Sequence, residues 1–174
     1  MKFAPDIRKT HVDSPLGALV LAATDAGLAG LWFDDQKHQP AWADWPERAD
    51  DPLLQQAVTQ LQEYFDGTRT SFDLPLDLRG GTPFQQSVWQ ALLHIPYGVC
   101  TTYGTLSSAL ERPDAVRAVG TAVGRNPLGI IVPCHRVLGA DGSLTGYAGG
   151  LGRKAALLTL ESGASATDDF ELTA

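Results

Sequence analysis

The stretch Ile130-Ile131-Val132-Pro133-Cys134-His135-Arg136-Val137 decides how this chain is read. A β-branched run ends in a proline, and a thiol, an imidazole and a guanidinium follow. The apolar run predicts a buried strand. Proline cannot donate to a ladder, so the strand should stop there and carry Cys134 at its end, on a loop supported by a rigid core. A free cysteine beside buried aliphatics also fits a small core hydrophobe. Adjacency to His135 does not separate the two readings, because successive side chains in extended backbone point to opposite faces.

Around that stretch, 174 residues with 44% apolar content can bury a core as one domain or as a small pair. The best uncharged apolar run, Leu16 to Thr24, is too short to span a membrane and lies between Asp13 and Asp25. Met1-Lys2-Phe3-Ala4-Pro5-Asp6 has no signal-peptide apolar region, which predicts a cytoplasmic protein. Cys100 and Cys134 are the two cysteines, too few for a disulfide framework or a thiolate zinc cluster. A single bridge between them is compatible with the spacing but would consume the nucleophile. His11, His38, His94 and His135 lack metal-ligand spacing, so no metal is expected.

The net charge of −7 argues against a simple nucleic-acid binder. Its distribution changes the picture. From Gly81 to Leu160, Arg112, Arg117, Arg125, Arg136, Arg153 and Lys154 outnumber Glu111, Asp114 and Asp141. A basic half on an acidic protein is compatible with salt-sensitive DNA contact.

From Thr10 to Phe33, apolar runs alternate with turn formers, which predicts a β-meander. Asp34 to Asp50 reads as a loop whose Trp42 and Trp45, without interleaved bases, should pack on the sheet rather than stack on nucleotides. Asp51 caps a helix with Pro52 at its first position. Leu53, Leu54, Ala57, Val58, Leu61, Tyr64 and Phe65 follow at helical spacing, and Gly67 closes it. Thr68 to Gly81 reads as a linker.

Thr82-Pro83-Phe84-Gln85 predicts a capping box, and Phe84, Val88, Trp89, Leu92 and Leu93 form the stripe of the helix it opens. Two short helices, Tyr103 to Leu110 and Ala115 to Gly124, are split by Glu111-Arg112-Pro113-Asp114, the shape of a helix-turn-helix. Val116, Val119 and Val123 should form the buried side of the second. Ala118, Gly120, Thr121, Ala122 and Gly124 leave a bare flank beside Arg117, although each helical glycine costs about 1 kcal/mol. Such a flank fits tight packing on a neighbouring domain or entry into a DNA groove with Arg117 as the probe. Val137 to Thr145 reads as a hairpin-like return and Gly146-Tyr147-Ala148-Gly149-Gly150 as a flexible lip. The last helix should run from Gly152 to Ser162, with Gly163 as cap and Glu161 on the face of Leu157.

Pro133-Cys134-His135-Arg136, with Asn126-Pro127 before it and Gly146-Tyr147-Ala148-Gly149-Gly150 after it, resembles the O6-alkylguanine-DNA alkyltransferase family, from Gly81 to Gly163 in unbroken order. The resemblance implies a small α/β structural domain over residues 1–78 and a mostly α domain over 82–163. The second would hold the helix-turn-helix and a short strand or hairpin carrying the reactive cysteine. Beyond it, residues 164–174 are small and acidic, which predicts a disordered tail. Some relatives hold zinc in the first domain, but this chain has no cysteine there.

For the chemistry, the resemblance implies a Cys134, His135 and Glu161 relay running through a water, with Asn126 holding the reactive turn. A nucleotide carrying O6-alkylguanine would be flipped from double-stranded DNA and its alkyl group moved irreversibly to Cys134, without a cofactor. Tyr103 would help rotate the phosphate and donate to N3 of the leaving guanine. Tyr147 would pack on the base, the Ala148 N–H would donate to O6, and the Cys134 and Val137 carbonyls would accept from the exocyclic amine. Arg117, with Gly120, Thr121 and Gly124 beside it, would enter the minor groove with weak sequence preference, in a protein acting as a monomer. The rivals are a non-catalytic protein that flags lesions, whose relatives carry tryptophan at the Cys134 position, a helix-turn-helix regulator and a Cys-His hydrolase.

Overall fold

The computed structural model describes residues 1–163, and the tail expected over 164–174 lies outside them. The meander forms as expected: β1 (Arg8–Val12), β2 (Leu19–Thr24) and β3 (Gly27–Phe33) make an antiparallel sheet in that order. Leu19, Leu21 and Ala23 of β2 share one face by the two-residue period, and α1 (Pro52–Phe65) covers it with Leu54, Ala57, Leu61 and Tyr64. Each such leucine contributes about 1.5–3 kcal/mol on burial. Asp51 caps α1 by accepting from the Leu53 and Leu54 N–H groups. The opposite face carries Trp32 with Ala22 and Ile7, and there Trp42 and Trp45 pack with ring centroids 5.7 and 6.0 Å from Trp32.

Both sheet edges are occupied, which removes the exposed ladder that invites aggregation. Residues 46–48 lie along β1, with Lys9 N–H donating to Pro46 and Arg48 N–H to Lys9. The segment expected as a linker runs along β3 instead: Leu28 N–H donates to Pro75 at 2.8 Å and Asp77 N–H to Leu28 at 2.8 Å. Gly27 permits that approach, since a Cβ there would sit 2.7 Å from the Pro75 carbonyl oxygen. Further along β3, Leu31 N–H donates to Pro127 and Gly129 N–H to Leu31, so the sheet also holds the approach to Cys134.

The second half begins at α2 (Pro83–Leu92), where both arms of the Thr82–Gln85 capping box form. Val88, Trp89 and Leu92 turn inward, while Leu93, just past the last turn, stays at the surface. After β4 (Thr101–Thr102) come α3 (Tyr103–Ala109), a 3-10 turn over Pro113–Ala115, and α4 (Val116–Gly124). The buried side of α4 is Val119, Ala122 and Val123; Val116 is exposed because it opens the helix one turn ahead of the packing. Ala122 therefore leaves the bare flank, and its carbonyl accepts from the Trp89 indole at 2.9 Å.

β5 (Val137–Leu138) follows Cys134 rather than preceding it. It pairs in parallel with β4, not with a return strand, because Gly139 to Ser143 closes into a tight turn of its own. α5 (Leu151–Ser162) ends at Gly163 in the left-handed conformation. One hydrophobic cluster runs from Leu28, Leu31 and Phe33 through Tyr64 to Trp89, Leu128, Val132 and Leu157.

Candidate active site

Residues 128–133 form a chain of turns rather than a strand. Ile130, Ile131 and Val132 are all buried, as a strand covered on both faces would also be, so it is the backbone hydrogen bonding that marks the turns. Val132 N–H donates to Leu128, Ile131 N–H to Gly129 and Cys134 N–H to Val132, each at 2.8 Å. Ile130 has φ of +70°, a left-handed conformation that costs a β-branched residue about 1–3 kcal/mol. The surrounding core holds it there. Asn126, at the end of α4, ties the turns together: its amide donates to the Val132 carbonyl at 2.8 Å and its Oδ1 accepts from Leu128 N–H at 3.0 Å.

Cys134 leaves this scaffold at the start of a 3-10 turn, 8% exposed. Burial pushes its thiol pKa up, opposed by a hydrogen bond with Asn126 and by the positive charge of Lys154. His135 is fully buried, and its Nε2 lies 2.7 Å from Glu161 Oε1. Burial pushes the Glu161 carboxyl up, but hydrogen bonds from His135 and Arg136 outweigh it and lower the pKa to about 2. A carboxylate only accepts, so Nε2 carries the proton and Nδ1 keeps its lone pair. That Nδ1 has no hydrogen-bond partner among the described residues. Burial also lowers the imidazole pKa, so at neutral pH the ring is an uncharged base.

Glu161 is more heavily solvated by the protein than the sequence implies. Arg136 donates through Nε at 2.8 Å and Nη2 at 2.9 Å, the Tyr64 hydroxyl at 2.8 Å and the Gly98 N–H at 3.3 Å. Among these donors Tyr64 and Gly98 escaped the sequence reading, and Arg136 entered it only as a charge. Lys154 likewise entered only as a charge: fully buried, its Nζ donates to the carbonyls of Val137 at 2.5 Å and Thr145 at 2.7 Å. A signal for it was present, because Lys154, Leu157 and Glu161 recur at i, i+3 and i+7 on one face of α5. The Val137 carbonyl thus already accepts one hydrogen bond and retains one lone pair for another donor.

A narrow cleft brings Cys134 together with Asn126, Val123, Gly124, Tyr147 and Ala148, and Gln36 from the loop after β3 completes its wall. Tyr103 starts α3, and its hydroxyl donates to the carbonyls of Thr145 at 3.2 Å and Gly146 at 3.4 Å, closing one end of the lip. Burial raises the pKa of the Tyr103 and Tyr147 hydroxyls, so both remain protonated donors. On α4, Arg117 and Thr121 are exposed and Gly120 and Gly124 half-buried; of these, Gly124 borders the Cys134 cleft and Arg117, Gly120 and Thr121 are not part of its lining. Thr121 Oγ1 donates back to the Arg117 carbonyl at 3.0 Å. Chemically, the arrangement offers a shielded sulfur nucleophile, a neutral base locked in one tautomer, and donors around a narrow cleft.

The chain matches two family models, "6-O-methylguanine DNA methyltransferase, DNA binding domain" over residues 83–163 and "6-O-methylguanine DNA methyltransferase, ribonuclease-like domain" over residues 7–78. A methylated-DNA–protein-cysteine methyltransferase of Mycobacterium tuberculosis (strain CDC 1551 / Oshkosh) is 50% identical over 157 residues, covering 90% of this chain and 93% of the relative. The constitutive one of Bacillus subtilis (strain 168) is 46% identical over 159 residues, 87% of this chain and 93% of the relative. The crystal structure of Mycobacterium tuberculosis OGT in complex with DNA superposes with a TM-score of 0.83 at 49% identity, covering 91% of this chain and 96% of that one.

Proposed function

The chain belongs to the 6-O-methylguanine DNA methyltransferase family, and from that premise we infer that it repairs O6-alkylguanine in DNA by moving the alkyl group onto Cys134. The observation that carries the reading is the buried His135–Glu161 contact of 2.7 Å, next in sequence to a thiol that lines a cleft. The neutral His135 Nδ1 takes the thiol proton through a bridging solvent molecule. The sulfur attacks the alkyl carbon, an S–C bond forms, and the C–O6 bond breaks with its electron pair passing to the purine. The departing guanine needs a proton, which the Tyr103 hydroxyl supplies at N3, while the Ala148 N–H steadies O6. The Cys134 and Val137 carbonyls hold the exocyclic amine and Tyr147 packs on the ring.

The target atom is unreachable inside duplex DNA, so the nucleotide must leave the stack at a cost of a few kcal/mol. Arg117 fills the gap from the minor groove, with Gly120, Thr121 and Gly124 letting the backbone of α4 approach. We place the protein in the cytoplasm as a monomer, where a reducing milieu keeps the thiol free. No helix among the described residues is long and apolar enough to cross a membrane.

A thioether has no good leaving group, so each molecule reacts once. With excess O6-methylguanine duplex, chromatography of the digested DNA will find one guanine restored per protein and no further product. Continuing turnover would contradict the reading and favour a hydrolytic mechanism. A non-catalytic lesion binder would restore none, and the cysteine in this position disfavours it.

A further inference from the structure

The loop after β3 does more than border the cleft. Lys37 N–H donates to the Ala148 carbonyl at 3.1 Å, and Gln36 forms part of the wall that also contains Cys134. Gln36 is itself fixed, its Oε1 accepting from Phe33 N–H at 2.9 Å. Beside it, Arg153 of α5 gathers three segments. Its Nη1 donates to Asp35 Oδ1 at 2.7 Å and to the Gly149 carbonyl at 3.1 Å, and its Nε donates to the Leu16 carbonyl at 2.8 Å. The guanidinium lies over the Phe33 ring, 4.1 Å from its centroid, and Phe33 presses on Gly149, where a Cβ would sit 3.0 Å from the ring.

Gly146 and Gly150 bracket the lip with φ of +56° and +94°, a region glycine enters without strain. Two contacts from the first half of the chain thus fix its middle at Ala148 and Gly149. We propose that the N-terminal sheet sets the size limit on the alkyl group, through a latch in which Arg153 and Asp35 hold the lip at Gly149 while Lys37 holds it at Ala148. The proposal rests on the reading of that lip as the wall of the substrate cleft. Arg153 and Asp35 act as positioning residues, since they reach the substrate only through the lip.

The test compares second-order rate constants on duplexes carrying O6-methylguanine or O6-benzylguanine, for the full chain and for Arg153→Met and Asp35→Ala. Methionine keeps an apolar stem over Phe33 but donates to nothing. Asp35 is an exposed side chain, so its loss leaves folding intact. Releasing the lip lets the cleft widen. The benzyl-to-methyl ratio should rise by about fivefold in Arg153→Met, the scale of one ordinary hydrogen bond, and by less in Asp35→Ala, which keeps the Gly149 contact. Ratios equal to the parent's in both variants, with or without a lower melting temperature, would overturn the latch and leave Arg153 as packing alone. Failure of the parent chain to react with either duplex would instead sink the alkyltransferase reading and the latch with it.

Discussion

Tyr64 stands at the centre of the residue scale, because its hydroxyl carries a hydrogen bond from α1 in the first half of the chain to the carboxylate that orients His135. Removing that donor leaves more negative charge on Glu161 and so favours the imidazolium. Tyr64→Phe keeps the ring in the core, and the acid limb of its pH–rate profile should move to higher pH by about half a unit or more, the equivalent of a weak hydrogen bond. The rate at neutral pH should fall about two- to fivefold. A profile superimposable on the parent's would mean that Tyr64 only fills space. The Cys134, His135 and Glu161 set is legible in the sequence through the family resemblance, since adjacency alone leaves the role of Cys134 open and helix period places Glu161 on the face of Leu157 without naming its partner. The sequence hides Tyr64, whose partner lies 97 residues away and whose place in an apolar stripe looks satisfied by packing.

At the scale of elements, α4 poses the sharpest question. Gly120 lies mid-helix, and a Cβ there would touch only the Tyr103 ring, at an ordinary 3.7 Å. Gly120→Ala should therefore raise the stability of the free protein by about 1 kcal/mol, as helix propensity dictates. If the bare backbone serves a DNA groove, the same change weakens lesion binding in a fluorescence titration while leaving the reaction with free O6-benzylguanine intact. Unchanged DNA affinity would mean that the missing side chain at position 120 plays no part in the approach to DNA. The helices were legible from caps and period: Asp51-Pro52 and the Thr82–Gln85 box fall where the sequence places them. The reactive segment was not, because an unbroken apolar run records burial without recording whether the backbone is a strand or a series of turns. Only the Asn126 side chain and the left-handed Ile130 decide that, and both act through contacts that no period encodes.

For the molecule as a whole, the continuous core and the buried charges set the response to acid. Glu161 titrates at about 2 in the fold against 4.5 for the ordinary carboxyl, so its contribution is complete above pH 4.5 and is lost as pH falls toward 2. His135 is depressed below 6.5 by burial, so the unfolded chain takes up its proton first and stability also declines as pH drops below 6.5. Urea midpoints should be flat from just above that value to about pH 8, short of the thiol range of Cys134, and fall below it. Glu161→Gln, less stable at neutral pH because Arg136 loses its anion, should show a shallower decline between pH 4.5 and 2. Parallel curves for the two proteins would mean that other carboxylates control the acid limb. The architecture was readable at this scale from the meander, the covering helix and the helix-turn-helix. Hidden from the sequence was that the segment before α2 and the approach to Cys134 both run along β3, since edge pairing by irregular backbone leaves no alternating pattern.

The proposed repair depends on a single atom, the sulfur of Cys134. Incubating the protein with a duplex containing O6-methylguanine and mapping the modified peptide by mass spectrometry tests it directly. The expected result is one methyl group on Cys134, none on the exposed Cys100, and no transfer to the Cys134→Ala variant. A methyl group elsewhere, or repair that survives loss of that sulfur, would contradict it.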